Sequence, residues 1–230
     1  MTQRSLQQVP LCDGSDGALR LTVAAPESAV RGGIVVIPEA CGVTDAVWQL
    51  AEGLAGEGWL AVIPHLYHRD DVDELPQDGD PEQMRNHIER LTAESVGADT
   101  DASLCWLAQH GVTDDRIGVI GFGLGGAVAL IVATLRDLGA AVTVDGIGVV
   151  QPVAPTLPAL VEAAPELRCP WLGLYGPGSE IPDPEVHKLR NAAHSAQVAT
   201  DLVHYCLDTD QSTAEETWAR TLNWFDCHLR

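Results

Sequence analysis

Basic residues are scarce in this chain. Thirteen lysines and arginines face 33 aspartates and glutamates across 230 residues, giving a formal charge of −20. A surface of that sign repels phosphate, so neither nucleic acid nor an anionic membrane is an expected partner. Long apolar runs are missing too: none reaches the roughly 18 residues of a membrane span. The opening Met1-Thr2-Gln3-Arg4-Ser5-Leu6 has no apolar segment, so we expect no signal peptide and a cytoplasmic protein. The six cysteines stand singly, with no C-x-x-C pair. That spacing argues against a zinc site or a disulfide framework, and we expect reduced, mostly buried thiols. The acidic stretch from Asp70 to Glu82 lacks the spaced ligands and turn glycine of a calcium loop and is expected to be solvated. Neither a metal nor a cofactor is expected.

What is present is alternation. Apolar, β-branched runs at Leu19–Ala25, Gly33–Ile37, Trp59–Ile63, Arg116–Ile120, Ala140–Val144, Trp171–Tyr175 and Ala199–Cys206 alternate with helical patterns. Hydrophobic residues make up 46% of the chain, enough for one α/β domain spanning residues 1–230. Thr44 can cap a helix that carries Val47, Leu50 and Leu54 and stops at Gly58. Asp80-Pro81 and Asp183-Pro184 mark two helix starts, and a further helix is expected from about Asp99 to His110. The last helix opens on a Ser212-x-x-Glu215 capping box and bears Trp218, Leu222, Phe225 and Leu229 as one stripe.

The most informative stretch is Gly121-Phe122-Gly123-Leu124-Gly125-Gly126, between a strand and a helix. Two chemistries use such a turn. A dinucleotide-binding domain cradles a pyrophosphate with G-x-G-x-x-G, and Asp145, at the end of the next strand, would then meet a ribose. A hydrolase presents its nucleophile on a strand–turn–helix elbow, in which case the central position is Gly123, without a side chain.

Five segments in order resemble the dienelactone hydrolase family. Ile34 to Val43 is similar to that family's strand and oxyanion loop. Gly58 to Arg69 looks like its next strand and P-x-L-Y/F-x-R segment, and Gly121 to Gly126 is similar to its G-x-C-x-G-G elbow. Arg168 to Gly176 resembles the strand carrying the acid, and Trp218 to Phe225 the closing helix. The resemblance implies an α/β-hydrolase fold, with a mostly parallel sheet of seven or eight strands and helices on both faces.

It also implies a cysteine, aspartate and histidine triad, and none of the three is in place. The nucleophile position is Gly123. The acid position falls on Ser179, or Gly178 counted back from Ile181-Pro182, with Glu180 or Asp183 as stand-ins. The histidine position falls on Asp210 or Gln211, in a shortened loop, while His204 lies inside the preceding strand. We therefore expect no catalytic triad and a non-hydrolytic protein that binds a small carboxylate or lactone. The expected ligand residues are Glu39, which matches the glutamate beside the family's nucleophile; the backbone amides of Ala40 and Leu124, which match its oxyanion donors; Gly123; and Arg69. Several alternatives stay open. Glu39 with those amides could run altered acid–base chemistry, such as lactone isomerisation or cyclisation, and Cys41 could attack with His65 or His68 as base. Dinucleotide binding and association into a homo-oligomer complete the set.

Overall fold

The computed structural model describes residues 3–11, 17–76, 79–176, 179–205 and 210–229. Among these residues eight strands form one sheet: β1 (Gln3–Pro10), β2 (Ala18–Ala25), β3 (Gly32–Ile37), β4 (Trp59–Pro64), β5 (Ile117–Phe122), β6 (Ala140–Val144), β7 (Trp171–Tyr175) and β8 (Thr200–His204). Their order is β1-β2-β4-β3-β5-β6-β7-β8. The β1–β2 and β2–β4 pairs are antiparallel, and every pair from β4 to β8 is parallel. The parallel strands are covered on both faces, so β3 and β4 are buried along their whole length; this is why they read as continuous apolar runs rather than alternating ones.

Among the described residues seven α-helices accompany the sheet: α1 (Asp45–Gly56), α2 (Pro81–Glu89), α3 (Ala93–Gln109), α4 (Leu124–Leu135), α5 (Leu160–Ala163), α6 (Asp183–Ala193) and α7 (Asp210–His228). Val35, Ile37 and Val119 face a core shared with α3, α4, α5 and α6. Ile34, Val36 and Ile120 face a second core built on α1 and α7. Helix α4 is buried from Leu124 to Ala133, which accounts for its all-apolar sequence.

The helix signals hold at several ends. The Thr44 hydroxyl accepts from the Val47 N–H at 3.4 Å, and α1 stops just before Gly58 at φ +93°. Asp80 accepts from the Glu82 N–H at 3.0 Å, ahead of Pro81. On the closing helix, Phe225 and Leu229 are buried, with Trp218 and Leu222 packed against them.

Other expectations need correction. Helix α3 begins six residues before the expected Asp99, because Thr92 and Ser95 cap each other's backbone at 3.0 Å. Strand β1 is an addition to the expected strands: its sequence, QRSLQQVP, is polar, as befits an edge strand. The expected last strand is shorter, Thr200–His204, and its proposed end, Cys206, lies outside the described residues. So do the side chains of Asp210, Gln211 and Ser212. Cysteines are less buried than expected: Cys169 is buried, Cys41 half-buried, and Cys105 and Cys227 exposed. The acidic stretch is not simply solvated, since Asp70 pairs with His87 and Arg90, and Asp73 with His65 and Arg20. Among the described residues no helix is long and apolar enough to cross a membrane, and no three metal-ligating side chains gather.

Candidate functional site

The site lies where β3, β5 and β6 end. Gly123, at the N-terminus of α4, has φ +51° and ψ −114°, a backbone region that strains any residue bearing a side chain. A β-carbon built on Gly123 meets nothing within 4 Å. The other glycines of the turn differ. A methyl group on Gly121 would collide with the Gly125 carbonyl, one on Gly125 with the Ile37 carbonyl, and one on Gly126 would lie 3.0 Å from the Val144 oxygen. Gly121, Gly125 and Gly126 are thus required by backbone-to-backbone packing, and Gly123 is the position that faces open space. A side chain at position 123 would have room in front of the turn, and the residue there is glycine.

Three backbone contacts hold the elbow. The Gly123 N–H donates to the Val144 carbonyl at 3.0 Å, and the Gly123 carbonyl accepts from Ile147 N–H at 3.2 Å and Ala127 N–H at 3.1 Å. The Leu124 N–H is in the first turn of α4, where no intrahelical acceptor exists. The close approach of Gly125 to the Ile37 and Pro38 carbonyls brings this helix end against the loop that carries Glu39 and Ala40.

That loop is stitched down. The Tyr67 hydroxyl donates to the Ala40 carbonyl at 3.0 Å. Gly42 N–H donates to the Glu39 carbonyl, Val43 N–H to the Asp73 carbonyl, and Leu75 N–H to the Cys41 carbonyl. Tyr67, which the sequence reading did not single out, is buried, and burial drives its hydroxyl pKa upward.

Beside the elbow lies a cavity of about 120 Å³ lined by Val36, Ile37, Glu39, Ala46, Val47, Leu50 and Phe122. Its one ionisable group is Glu39. The residue as a whole is exposed, but burial of its carboxyl raises the pKa above the usual glutamate value. Partly desolvated and unsupported by a cation, this carboxyl holds a proton more readily than an ordinary surface glutamate.

The remaining candidates sort clearly. Arg69 does not reach toward the elbow: its guanidinium grips Asp99 through two bonds of 2.9 and 2.8 Å, and Asp99, 1% exposed, also bonds His68 Nε2 at 3.0 Å. His65 is a core residue held by Thr22 at 2.8 Å and Asp73 at 2.6 Å. Neither imidazole is left to serve Cys41. The Cys41 thiol pKa is raised, first by burial and then by Glu39 and Glu74, the opposite of what an attacking cysteine needs. Among the described residues the structure thus gives Cys41 neither a base nor an activating cation.

Ser179, at the acid position, accepts the Ile181 N–H at 3.3 Å and acts as a turn residue; Gly178 lies outside the described residues. Glu180 is exposed. Asp183 faces His204 at 3.5 Å on the edge strand β8, three strands from β5. Asp145 sits at φ +46° and accepts the Gly176 N–H at 2.8 Å.

With this geometry in view, comparison with known proteins is decisive for kinship. The model of the dienelactone hydrolase family matches residues 19–229. The chain belongs to the dienelactone hydrolase family. A Yersinia pestis protein named "Putative carboxymethylenebutenolidase" is 28% identical over 210 residues, covering 85% of this chain and 78% of that protein. A Pseudomonas putida carboxymethylenebutenolidase is 28% identical over 156 residues, 65% of this chain and 61% of its own. A crystal structure from Klebsiella pneumoniae, described as a "Putative Dienelactone Hydrolase", superposes with a TM-score of 0.85 at 26% identity, covering 98% of this chain and 99% of that one. The α/β-hydrolase fold expected from the sequence is the fold observed.

Proposed function

We propose that this family member binds a small lactone-type ligand beside the elbow and does not hydrolyse it through a covalent intermediate. The observation that carries this reading is position 123. The turn keeps an elbow's strained backbone angles and open frontage, while the residue there has no atom that can attack a carbonyl.

Three features support a lactone over a free carboxylate. Arg69, the cation expected to meet a carboxylate, is committed to Asp99. The cavity wall is apolar apart from Glu39, which would repel an anion when ionised. Relatives named carboxymethylenebutenolidase suggest a ring of that class. The amides of Leu124 and Ala40 would receive the lactone carbonyl, and the N-terminus of α4 favours the negative end of that dipole. A pseudoenzyme of this type needs no cofactor. The dinucleotide reading is weakened, because backbone packing accounts for two of its three motif glycines, Gly121 and Gly126, and Asp145, its ribose residue, accepts from the Gly176 N–H instead.

Titration of α-angelica lactone, a small enol lactone, into labelled protein tests the reading by NMR. Shifts at Glu39, Leu124 and Phe122 are expected, and Ala46→Leu, which narrows the cavity from an exposed position, should abolish them. Unchanged spectra for the wild-type protein would refute it.

A further inference from the structure

Strand β1 leaves a row of backbone groups unpaired among the described residues. The Leu11 N–H donates to the Gly17 carbonyl at 3.1 Å, one step beyond the Pro10–Ala18 pair. Bonded and non-bonded pairs alternate along an antiparallel ladder, so Ser5, Gln7 and Val9 spend their N–H and C=O groups on β2. The far side of β2 agrees. There the His65 N–H donates to the Arg20 carbonyl at 3.0 Å, one step beyond the Leu21–Pro64 pair, which leaves the odd-numbered residues of β2 for β1. Arg4, Leu6 and Gln8 therefore point their N–H and C=O groups out of the sheet edge. The pairing of β1 with β2 keeps one register from Gln3 to Pro10, with no bulge to twist the row away. Pro10, which has no N–H, ends it.

The side chains of β1 alternate across the sheet as well. Val9 faces the core shared with α3. On the other face Arg4 lies over the Trp48 ring at 5.2 Å, and Leu6 is left 59% exposed, more than any other large apolar residue described. In a chain of net charge −20, the strand Gln3–Pro10 holds no carboxylate. The opposite edge of the sheet is guarded. On β8, Asp201 is exposed and the Arg190 guanidinium takes the Leu202 carbonyl at 3.1 Å. A regular edge strand without such guards is a template for another strand.

We propose that two copies of this chain associate through β1, antiparallel about a two-fold axis at Leu6, so that their sheets join into one. This is independent of the ligand reading above. Setting Leu6 opposite Leu6 and Arg4 opposite Gln8 is the register that engages all three outward residues on both copies. Each outward N–H then meets a carbonyl of the partner, as a self-complementary two-fold contact requires. The two Leu6 side chains meet across the axis, about 5 Å apart at Cβ, and cover apolar surface that otherwise faces water. Charge favours a second copy at this place. Arg4 meets an uncharged glutamine rather than another arginine, and a strand free of carboxylates is where two strongly acidic chains approach with least repulsion.

Sedimentation velocity of the full chain, in a concentration series reaching about 200 μM, tests this, with circular dichroism to check the fold of each variant. The wild-type protein is expected to form a reversible dimer. Leu6→Asp sets two carboxylates across the axis and should raise the dissociation constant by about tenfold or more. Gln8→Glu, opposite Arg4 of the second copy, should tighten the dimer by about threefold, and Gln8→Arg should weaken it by about as much. An effect of net charge alone would run the other way, since Gln8→Glu makes an acidic chain more acidic. A wild-type protein that stays monomeric at the highest concentration would overturn the proposal. So would a folded Leu6→Asp that dimerises as tightly as wild type. If Leu6→Asp does not fold, the two Gln8 variants decide: opposite shifts uphold the register, and equal or absent shifts overturn it.

Discussion

The Tyr67 hydroxyl donates to the Ala40 carbonyl at 3.0 Å, fixing the loop that carries Glu39 and Ala40. Tyr67→Phe removes one buried bond without changing the ring's packing. We expect a loss of about 1 kcal/mol in denaturant unfolding and weaker lactone binding. Full stability with unchanged affinity would show that the loop is held by its backbone contacts alone.

Gly121 and Gly123 should respond oppositely to a methyl group. Gly123→Ala meets open space, so its cost is limited to backbone strain of about 1–3 kcal/mol. Gly121→Ala meets the Gly125 carbonyl, a backbone atom that cannot swing aside, and should cost more than about 4 kcal/mol or prevent folding. Thermal and denaturant unfolding of the two variants would show whether the order holds. Gly123→Cys should fold and still fail to open esters, since no base or orienting acid has returned.

Asp99 holds the Arg69 guanidinium and the His68 ring from a position 1% exposed. Asp99→Ala would leave Arg69 and His68 without it and should destabilise by about 3 kcal/mol or more. Arg69→Ala should likewise lower stability, with no selective loss of carboxylate binding. A variant of Arg69 that keeps its stability and loses affinity for carboxylates alone would place the guanidinium in the ligand site after all.

The pH dependence has a definite sign. Burial lowers the His65 pKa below the ordinary imidazole value of 6.5, outweighing the opposing hydrogen bond to Asp73. The unfolded chain therefore takes up this proton first as pH falls, so stability is lost below pH 6.5 and recovered above it. Glu39 works the other way. Burial raises its folded pKa above 4.5, so stability is lost as pH rises through that raised value, and Glu39→Gln should be more stable than wild type at neutral pH. An NMR titration of the His65 ring, with unfolding curves for Glu39→Gln across pH, checks both signs.

How much of this was legible beforehand follows from which interactions are local. The buried parallel strands showed as apolar runs, and Thr44, Asp80-Pro81 and Gly58 announced helix ends, because caps and turns depend on neighbouring residues. The glycine turn was legible as a turn, but only the neighbouring carbonyls of Gly125, Ile37 and Val144 separate the glycines that packing requires from the one at 123. Arg69 illustrates the limit. Its partner Asp99 lies 30 residues away, and only the packing of α3 against the end of β4 brings them together. Tyr67 gains its role in the same way, through Ala40, a contact that no local pattern encodes. The polar edge strand β1 lacked the apolar signal because water covers its outer side.

The most direct test of the central claim is ring opening. In an NMR time course of α-angelica lactone with the wild-type protein at neutral pH, the account predicts no ring-opened acid above the buffer rate. Ring-opened acid formed catalytically, and lost on substitution of a residue around Gly123, would contradict it.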